Sequence, residues 1–176
     1  MPKRRVRRHE VVQPLDQSYR LIPLTRGQTA IVDSKDFEWL SQWNWRADWN
    51  KYTKSFYASQ SCTENGHSRM HRLIMDALPT EEIDHRNRNT LDNRRDNLRK
   101  CSHPQNGSNR PKERSNASGF KGVWWHKIGK KWCAELRVDN TKIYLGLFNT
   151  AEEAAHAYDE AAKLHHGEFA YLNFPH

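Results

Sequence analysis

Residues 82–106 read EIDHRNRNTLDNRRDNLRKCSHPQN, and their pattern decides the fold of the middle of the chain. Two short segments, EIDHR and NLRKC, flank the polar NRNTLDNRRD, the pattern of two strands joined by a loop. Ser102 then precedes His103 and Pro104. Ser suits a helix N-cap and Pro is tolerated in the first turn, so a short helix carrying Asn106 is expected next. Strand, loop, strand and helix would bring Asn106 up against the hairpin that carries Asp84 and His85. Neighbouring residues of a regular strand point to opposite faces, so that pair can act together only at a strand end or a bulge.

These residue types fit hydrolysis of a phosphodiester, which needs a nucleophilic water, a base to deprotonate it and positive charge on the crowded phosphorane. His85 can be the base, because an imidazole titrates near neutrality and cations such as Arg86, Arg95 and a bound metal would keep it neutral. Asp84 and Asn106 offer oxygen ligands to one hard divalent cation, Mg²⁺ or Mn²⁺, and leave room for water and phosphate oxygens. Asn97 opens the second strand, where it could brace the loop or hold the His85 ring. Arg94, Arg95 and Arg99 stand beside this centre as expected phosphate contacts.

The composition points to the same partner. Lys plus Arg is 29 against 21 for Asp plus Glu, a formal charge of +8 with a pI near 9.5, which favours a polyanion. A mean hydropathy of −1.04 and the lack of a long apolar run exclude a spanning helix. The basic opening MPKRRVRR is followed by no apolar segment of the kind secretion requires, so the expected location is cytoplasmic. Cys62, Cys101 and Cys133 are widely spaced with no C-x-x-C pair, so free thiols are expected and a four-cysteine zinc site is excluded. At 176 residues and 36% hydrophobic content, two small units are expected rather than one large one.

Upstream of the hairpin, YRLIPLT and TAIVD read as strands, SKDFEWLSQW as a short helix with Ser34 near its N-cap, and WNWRADWNKYTKSFYAS as strand again. Trp39, Trp43, Trp45 and Trp49 are either a base-stacking platform or core, and core is the expectation for a small β-rich unit. Downstream, NGSNRPKERSNASG has no apolar periodicity and reads as a basic linker. GFKGVWWHKIGKKWCAELRVDNTKIYLGLF, residues 119–148, then alternates with turn signals at IGK and DNT, the pattern of a three-stranded antiparallel meander. TAEEAAHAYDEAAKLHHG follows as a helix, with a capping box from Thr150 and Glu153 and a stop at Gly167. Alternation turns Trp132, Ala134, Leu136, Val138, Ile143, Leu145 and Leu147 toward the helix. It leaves Lys131, Glu135, Arg137, Lys142 and Tyr144 on an outer face, joined by Trp124 and His126. A basic, aromatic sheet face of this kind can enter the major groove of DNA.

The stretch from MHRLIM through IDHRNRNTLDNRRDNLRKCSHPQNGSN, roughly residues 70–109, resembles the HNH endonuclease family, of the phage and intron-encoded homing type with a ββα-metal core. The resemblance implies His85 as general base, Asn97 as the structural asparagine, and Asp84 with Asn106 as metal ligands. His71 falls at the family's upstream histidine, in packing or phosphate contact. Residues 119–175, with FKGV, AEL, YLGLFNTAEEAAHAYDEAA and the closing LNFP, resemble the AP2/ERF DNA-binding domain. That implies DNA-facing roles for Lys121, Trp124, His126, Lys130, Arg137 and Tyr144. Trp124 replaces the arginine usual after GV, and Ile128 the tryptophan usual before GK, so the plant family's GC-box preference does not carry over.

The expected fold class is α+β: a basic arm (1–10), a β-rich N-terminal region (11–60), an HNH nuclease core (61–110), a linker (111–118) and an AP2-like domain (119–176) of three antiparallel strands on one helix. The expected activity is metal-dependent cleavage of double-stranded DNA. One catalytic centre cuts one strand per visit, so the monomer is expected to nick. No membrane and no obligate protein partner are implied. The alternatives are a non-catalytic DNA-binding regulator and, third, an RNA binder.

Overall fold

Alternating apolar residues in YRLIP and TAIVD give the first hairpin, β1 (Tyr19–Pro23) paired antiparallel with β2 (Thr29–Asp33), which places Ile22 opposite Ala30 on the buried side. The computed structural model describes residues 8–62, 66–112, 116–139 and 141–175. Most of the expected basic arm (1–7), the middle of the expected linker (113–115), Asn140 of the DNT turn and the side chain of Cys62 lie outside the described residues. The architecture is α+β and divides into two units, Met1–Cys101 and Ser102–His176.

In the first unit, β2 runs straight into helix α1 (Ser34–Ser41), followed by the sheet β3 (Arg46–Asn50), β4 (Ser55–Cys62) and β5 (Gly66–Arg69) in the order β3-β4-β5. The N-cap of α1 is Asp33 rather than Ser34, and no side chain caps it. The Ser34 hydroxyl donates to the Gln17 carbonyl instead, and the Asp33 carboxylate accepts from the Arg95 backbone N–H at 2.8 Å. After the short helix α2 (Met70–Ile74) come the two expected strands, β6 (Glu82–His85) and β7 (Leu98–Cys101), in regular antiparallel register. Leu24, Leu40, Trp45 and Met70 bury fully in one core that also takes Ile83 and Leu98 from this hairpin. Burial of each such side chain contributes about 1.5–3 kcal/mol, so the β-rich opening and the hairpin stabilise one another.

The four tryptophans divide. Trp45 is buried, with its indole N–H donated to the Leu40 carbonyl, and Trp39 packs against the core. Trp43 and Trp49 are half exposed.

In the second unit, Ser102 caps α3 (His103–Ser108) with a full capping box to Gln105. The meander is β8 (Val123–His126), β9 (Lys131–Val138) and β10 (Thr141–Phe148), with β9 central. Helix α4 (Ala151–His166) carries the expected Thr150–Glu153 capping box and ends at Gly167, whose φ of 52° is a conformation L side chains rarely adopt. Ala151, Ala154, Ala155 and Ala162 bury their small faces against the sheet, which lets the helix approach closely. A Cβ on Gly122 would sit 2.1 Å from the Tyr158 ring, so only glycine fits there.

One face assignment is corrected. The β10 register shifts between Tyr144 and Gly146, so the alternation reverses beyond that bulge. Leu145 packs inward as expected, but Phe148 takes the next core position and Leu147 turns out, 36% exposed.

Candidate active site and DNA-binding sheet

His85 is the last residue of β6, so the strand end expected for the Asp84–His85 pair is what the backbone provides. The chain turns immediately afterwards, with the Arg86 N–H donated to the Asn97 carbonyl at 2.8 Å and the Arg88 N–H to the His85 carbonyl at 2.9 Å. Asp84 and His85 are both buried. Across the hairpin Asp84 faces Arg99, whose Nε and Nη2 donate to Asp84 Oδ2 at 2.9 and 2.6 Å. Arg99 is only 6% exposed, so the guanidinium expected at DNA is committed to the interior, where it orients the carboxylate.

The arginines on either side are also tied. Arg94 grips Asp92 with Nε and Nη2 at 2.8 and 2.7 Å, and Arg95 grips Asp36 of α1 with its fork at 2.8 Å on both arms. Both keep exposed edges that stay open to phosphate. The Arg95 pair holds the short 3-10 turn Arg95–Asn97 against α1. Asn97 is buried and braces the loop: its Oδ1 accepts from the Asn87 N–H at 2.9 Å and its Nδ2 donates to the Asp92 carbonyl at 2.7 Å.

The residue nearest in role to a ring holder is Asn93, which the sequence reading passed over. It is fully buried, and its backbone bridges to Ile31 of β2. Its Nδ2 donates to the Leu91 carbonyl at 3.0 Å, which leaves Oδ1 turned to His85 Nε2 at 3.5 Å. Burial pushes the His85 imidazole below its ordinary range, against the opposing pull of Asn93, Asp84 and Asp92. The cation that adds to the lowering is Arg69, where Arg86 and Arg95 were expected.

His71, on α2, is buried beside this ring, 5.0 Å between centroids, and Tyr57 packs against both at 5.7 and 6.3 Å. Among the described residues its Nδ1 has no hydrogen-bond partner. Burial first, then the charges of His85, Arg69 and Arg72, hold it well below the ordinary imidazole range, so it packs as a neutral ring. Cys101 is a free thiol pushed up to about 11 by burial and by Asp84 and Glu82. Among the described residues no group of three His, Cys, Asp or Glu side chains gathers as a metal site. Asn106 lies on α3, in the second unit.

On the meander's outer face, Trp124, Arg137 and Tyr144 are exposed, and the Trp124 ring lies 5.6 Å from His126. His126 Nδ1 accepts from the Gly129 N–H at 2.9 Å and tightens the β8–β9 turn, where exposed Lys130 adopts a φ of 47°. Lys121 departs from its expected role. Its Nζ donates to the Ser108 and Arg110 carbonyls at 2.7 Å each, and it stacks over Tyr171.

Residues 70–108 match the family model of the HNH endonuclease, and residues 118–167 match that of the AP2 domain. The chain carries both an HNH endonuclease domain and an AP2 domain. Over 58 residues it is 53% identical to dehydration-responsive element-binding protein 2A of Arabidopsis thaliana, covering 32% of this chain and 17% of the relative. Over 62 residues it is 52% identical to dehydration-responsive element-binding protein 2E of Oryza sativa subsp. japonica, covering 34% and 19%. Ethylene-responsive transcription factor RAP2-11 of Arabidopsis thaliana is 48% identical over 65 residues, 36% of this chain and 25% of its own length. The chain therefore spans a quarter or less of these relatives. No solved structure matches it. No helix among the described residues is long and apolar enough to cross a membrane.

Proposed function

We propose that this protein is a metal-dependent HNH endonuclease of homing type that nicks one strand of double-stranded DNA, delivered to its target by the AP2 sheet. The observation that carries this reading is the imidazole of His85, buried at the end of β6 beside an Asp84 whose carboxylate is oriented by the Arg99 fork. Asn93 Oδ1 can only accept, so its contact with Nε2 fits the tautomer with the proton on Nε2. The His85 imidazole is the group proposed to take a proton from the attacking water. Asp84 and Asn106 would hold one Mg²⁺ or Mn²⁺, and this hard-oxygen donor set fits such an ion. The Arg99 fork on Asp84 is compatible with it, because ligating carboxylates are themselves commonly hydrogen-bonded by an outer shell. When bound, the ion supplies positive charge to the phosphate and leaving oxygen.

Trp124, His126, Lys130, Arg137 and Tyr144 are the proposed DNA contacts of the second unit, with the exposed edges of Arg94 and Arg95 as phosphate contacts in the first. Lys121 and Arg99 contribute from within, by holding α3 and Asp84 in place. The competing reading, a non-catalytic DNA-binding regulator, draws support from the relatives, which are named as element-binding proteins and a transcription factor. Nicking of supercoiled DNA by wild type and His85→Ala, in Mg²⁺, Mn²⁺ and EDTA, separates the two. Metal-dependent nicking that the variant loses is the expected result. Equal DNA binding with no cleavage by either protein moves the regulator to first place.

A further inference from the structure

A phosphate brought to His85 needs a cation that is not already spent, and most arginines around the site are committed. Arg94, Arg95 and Arg99 are paired with Asp92, Asp36 and Asp84, Arg46 with Asp48, and Arg72 donates to the Glu81 and Leu78 carbonyls. Arg69 differs. It ends β5, immediately before α2, and is exposed, with no carboxylate partner among the described residues.

Its guanidinium carbon lies 4.4 Å from the centroid of the Tyr57 ring. Tyr57 in turn packs edge-on against His85, 6.3 Å between centroids. The sheet register explains the row. Arg69 stands opposite Ser59, and Ser59 shares a face of β4 with Tyr57, two residues away. Along that face runs an open recess of about 560 Å³ lined by Asp48, Trp49, Tyr52, Tyr57, Ser59 and Arg69. A guanidinium held over an aromatic ring still has N–H donors to offer, in the fork geometry that matches two phosphate oxygens.

We propose that Arg69, stacked on Tyr57, is the residue that grips the phosphate of the strand to be cut and aligns it with His85, the recess beside it taking the adjoining sugar-phosphate backbone. This deepens the nuclease reading and rests on it. Tyr57 is a positioning residue that sets the plane of the guanidinium, whereas Arg69 touches the substrate.

The test compares full-length wild type, Arg69→Ala, Arg69→Lys, Tyr57→Leu and His85→Ala on one supercoiled DNA. It measures the single-turnover nicking rate in Mn²⁺, DNA affinity, and the thermal midpoint of each protein. Loss of one preorganised donor to the transition state costs about 10²-fold in rate, and that is the fall expected for Arg69→Ala. DNA affinity should change by less than about 3-fold, because most of the proposed DNA contacts lie on the second unit, and the melting midpoint should hold because the side chain is exposed. Arg69→Lys should recover part of the rate, keeping the charge without the fork. Tyr57→Leu should slow cleavage with Arg69 still in place. Wild-type nicking by Arg69→Ala beside an inactive His85→Ala overturns the assignment and leaves the nuclease intact. A rate loss that tracks a lowered melting midpoint, with no recovery by lysine, also overturns it. A wild type that cuts no DNA overturns both readings.

Discussion

The β6–β7 hairpin and the β8–β10 meander use the same antiparallel geometry to opposite ends. In the hairpin the polar residues point in: Asp84, His85, Arg99 and the neighbouring Asn93 and Asn97 are all buried. In the meander they point out, with Trp124, Arg137 and Tyr144 open to solvent and an alanine-rich helix behind. Chemistry needs groups whose partners and protonation are fixed before substrate arrives, and burial does that. Binding a long polyanion needs accessible charge spread over an area, which a solvated face supplies. The two sheets should therefore fail differently when mutated.

The largest expected effect is on cleavage alone. His85→Ala should lower nicking by about 10²–10⁴-fold, the usual contribution of a general base, while gel-shift affinity for the same DNA stays within error. Equal losses of cutting and binding would erase the distinction between the two sheets. Next comes stability. Arg99→Leu leaves the buried Asp84 carboxylate without its fork, and breaking such a pair costs about 3–5 kcal/mol, read as a fall in the urea midpoint of the first unit. The Asp84→Asn, Arg99→Leu double variant should recover part of that loss, because no uncompensated charge remains.

On the meander, Arg137→Ala should weaken DNA binding by about 1–3 kcal/mol or flatten its salt dependence, with nicking of saturated complex unchanged. Titration against salt distinguishes a base contact from a phosphate contact.

The smallest effect sharpens the contrast through pH. The folded-state pKa of His71 is depressed, so an unfolded chain binds a proton near the ordinary imidazole value of about 6.5 that the native chain refuses. Its contribution to stability is present above that value and lost as pH falls toward the folded pKa, at up to about 1.4 kcal/mol per pH unit. Melting curves at pH 7.5 and 5.5 should show a larger acid loss for wild type than for His71→Phe. His85 shares the direction, so part of the loss should remain in the variant.

Much of this was legible in residues close together along the chain. Both hairpin strands, the Ser102 N-cap, the Thr150 capping box and the three-stranded meander follow from local alternation and capping chemistry. The misses have two physical sources. A bulge adds one residue to a strand without changing its composition, so Leu147 and Phe148 exchanged faces unannounced. Ion pairs made across long sequence separations leave no local trace either. Arg95 finds Asp36 fifty-nine residues away and keeps only an exposed edge, and Arg99 finds Asp84 across the hairpin, so Arg99, which read as a DNA contact, became an internal tie. Asn93 looked like one more loop asparagine because its burial is set by β2, far upstream.

Asn173 closes the second unit in a way that bears on how such a module travels. Its side chain accepts from the Lys121 N–H at 2.7 Å and donates to the Lys121 carbonyl at 3.2 Å. The buried Asp159 carboxylate receives the Asn173 and Phe174 backbone N–H groups at 2.8 and 2.9 Å. The tail is thereby fastened beside the segment that enters β8, so the meander and its helix begin and end at one place. A cassette whose entrance and exit coincide can be spliced onto an unrelated host with little disturbance to either, and about sixty residues shared with much longer plant proteins have that portable form.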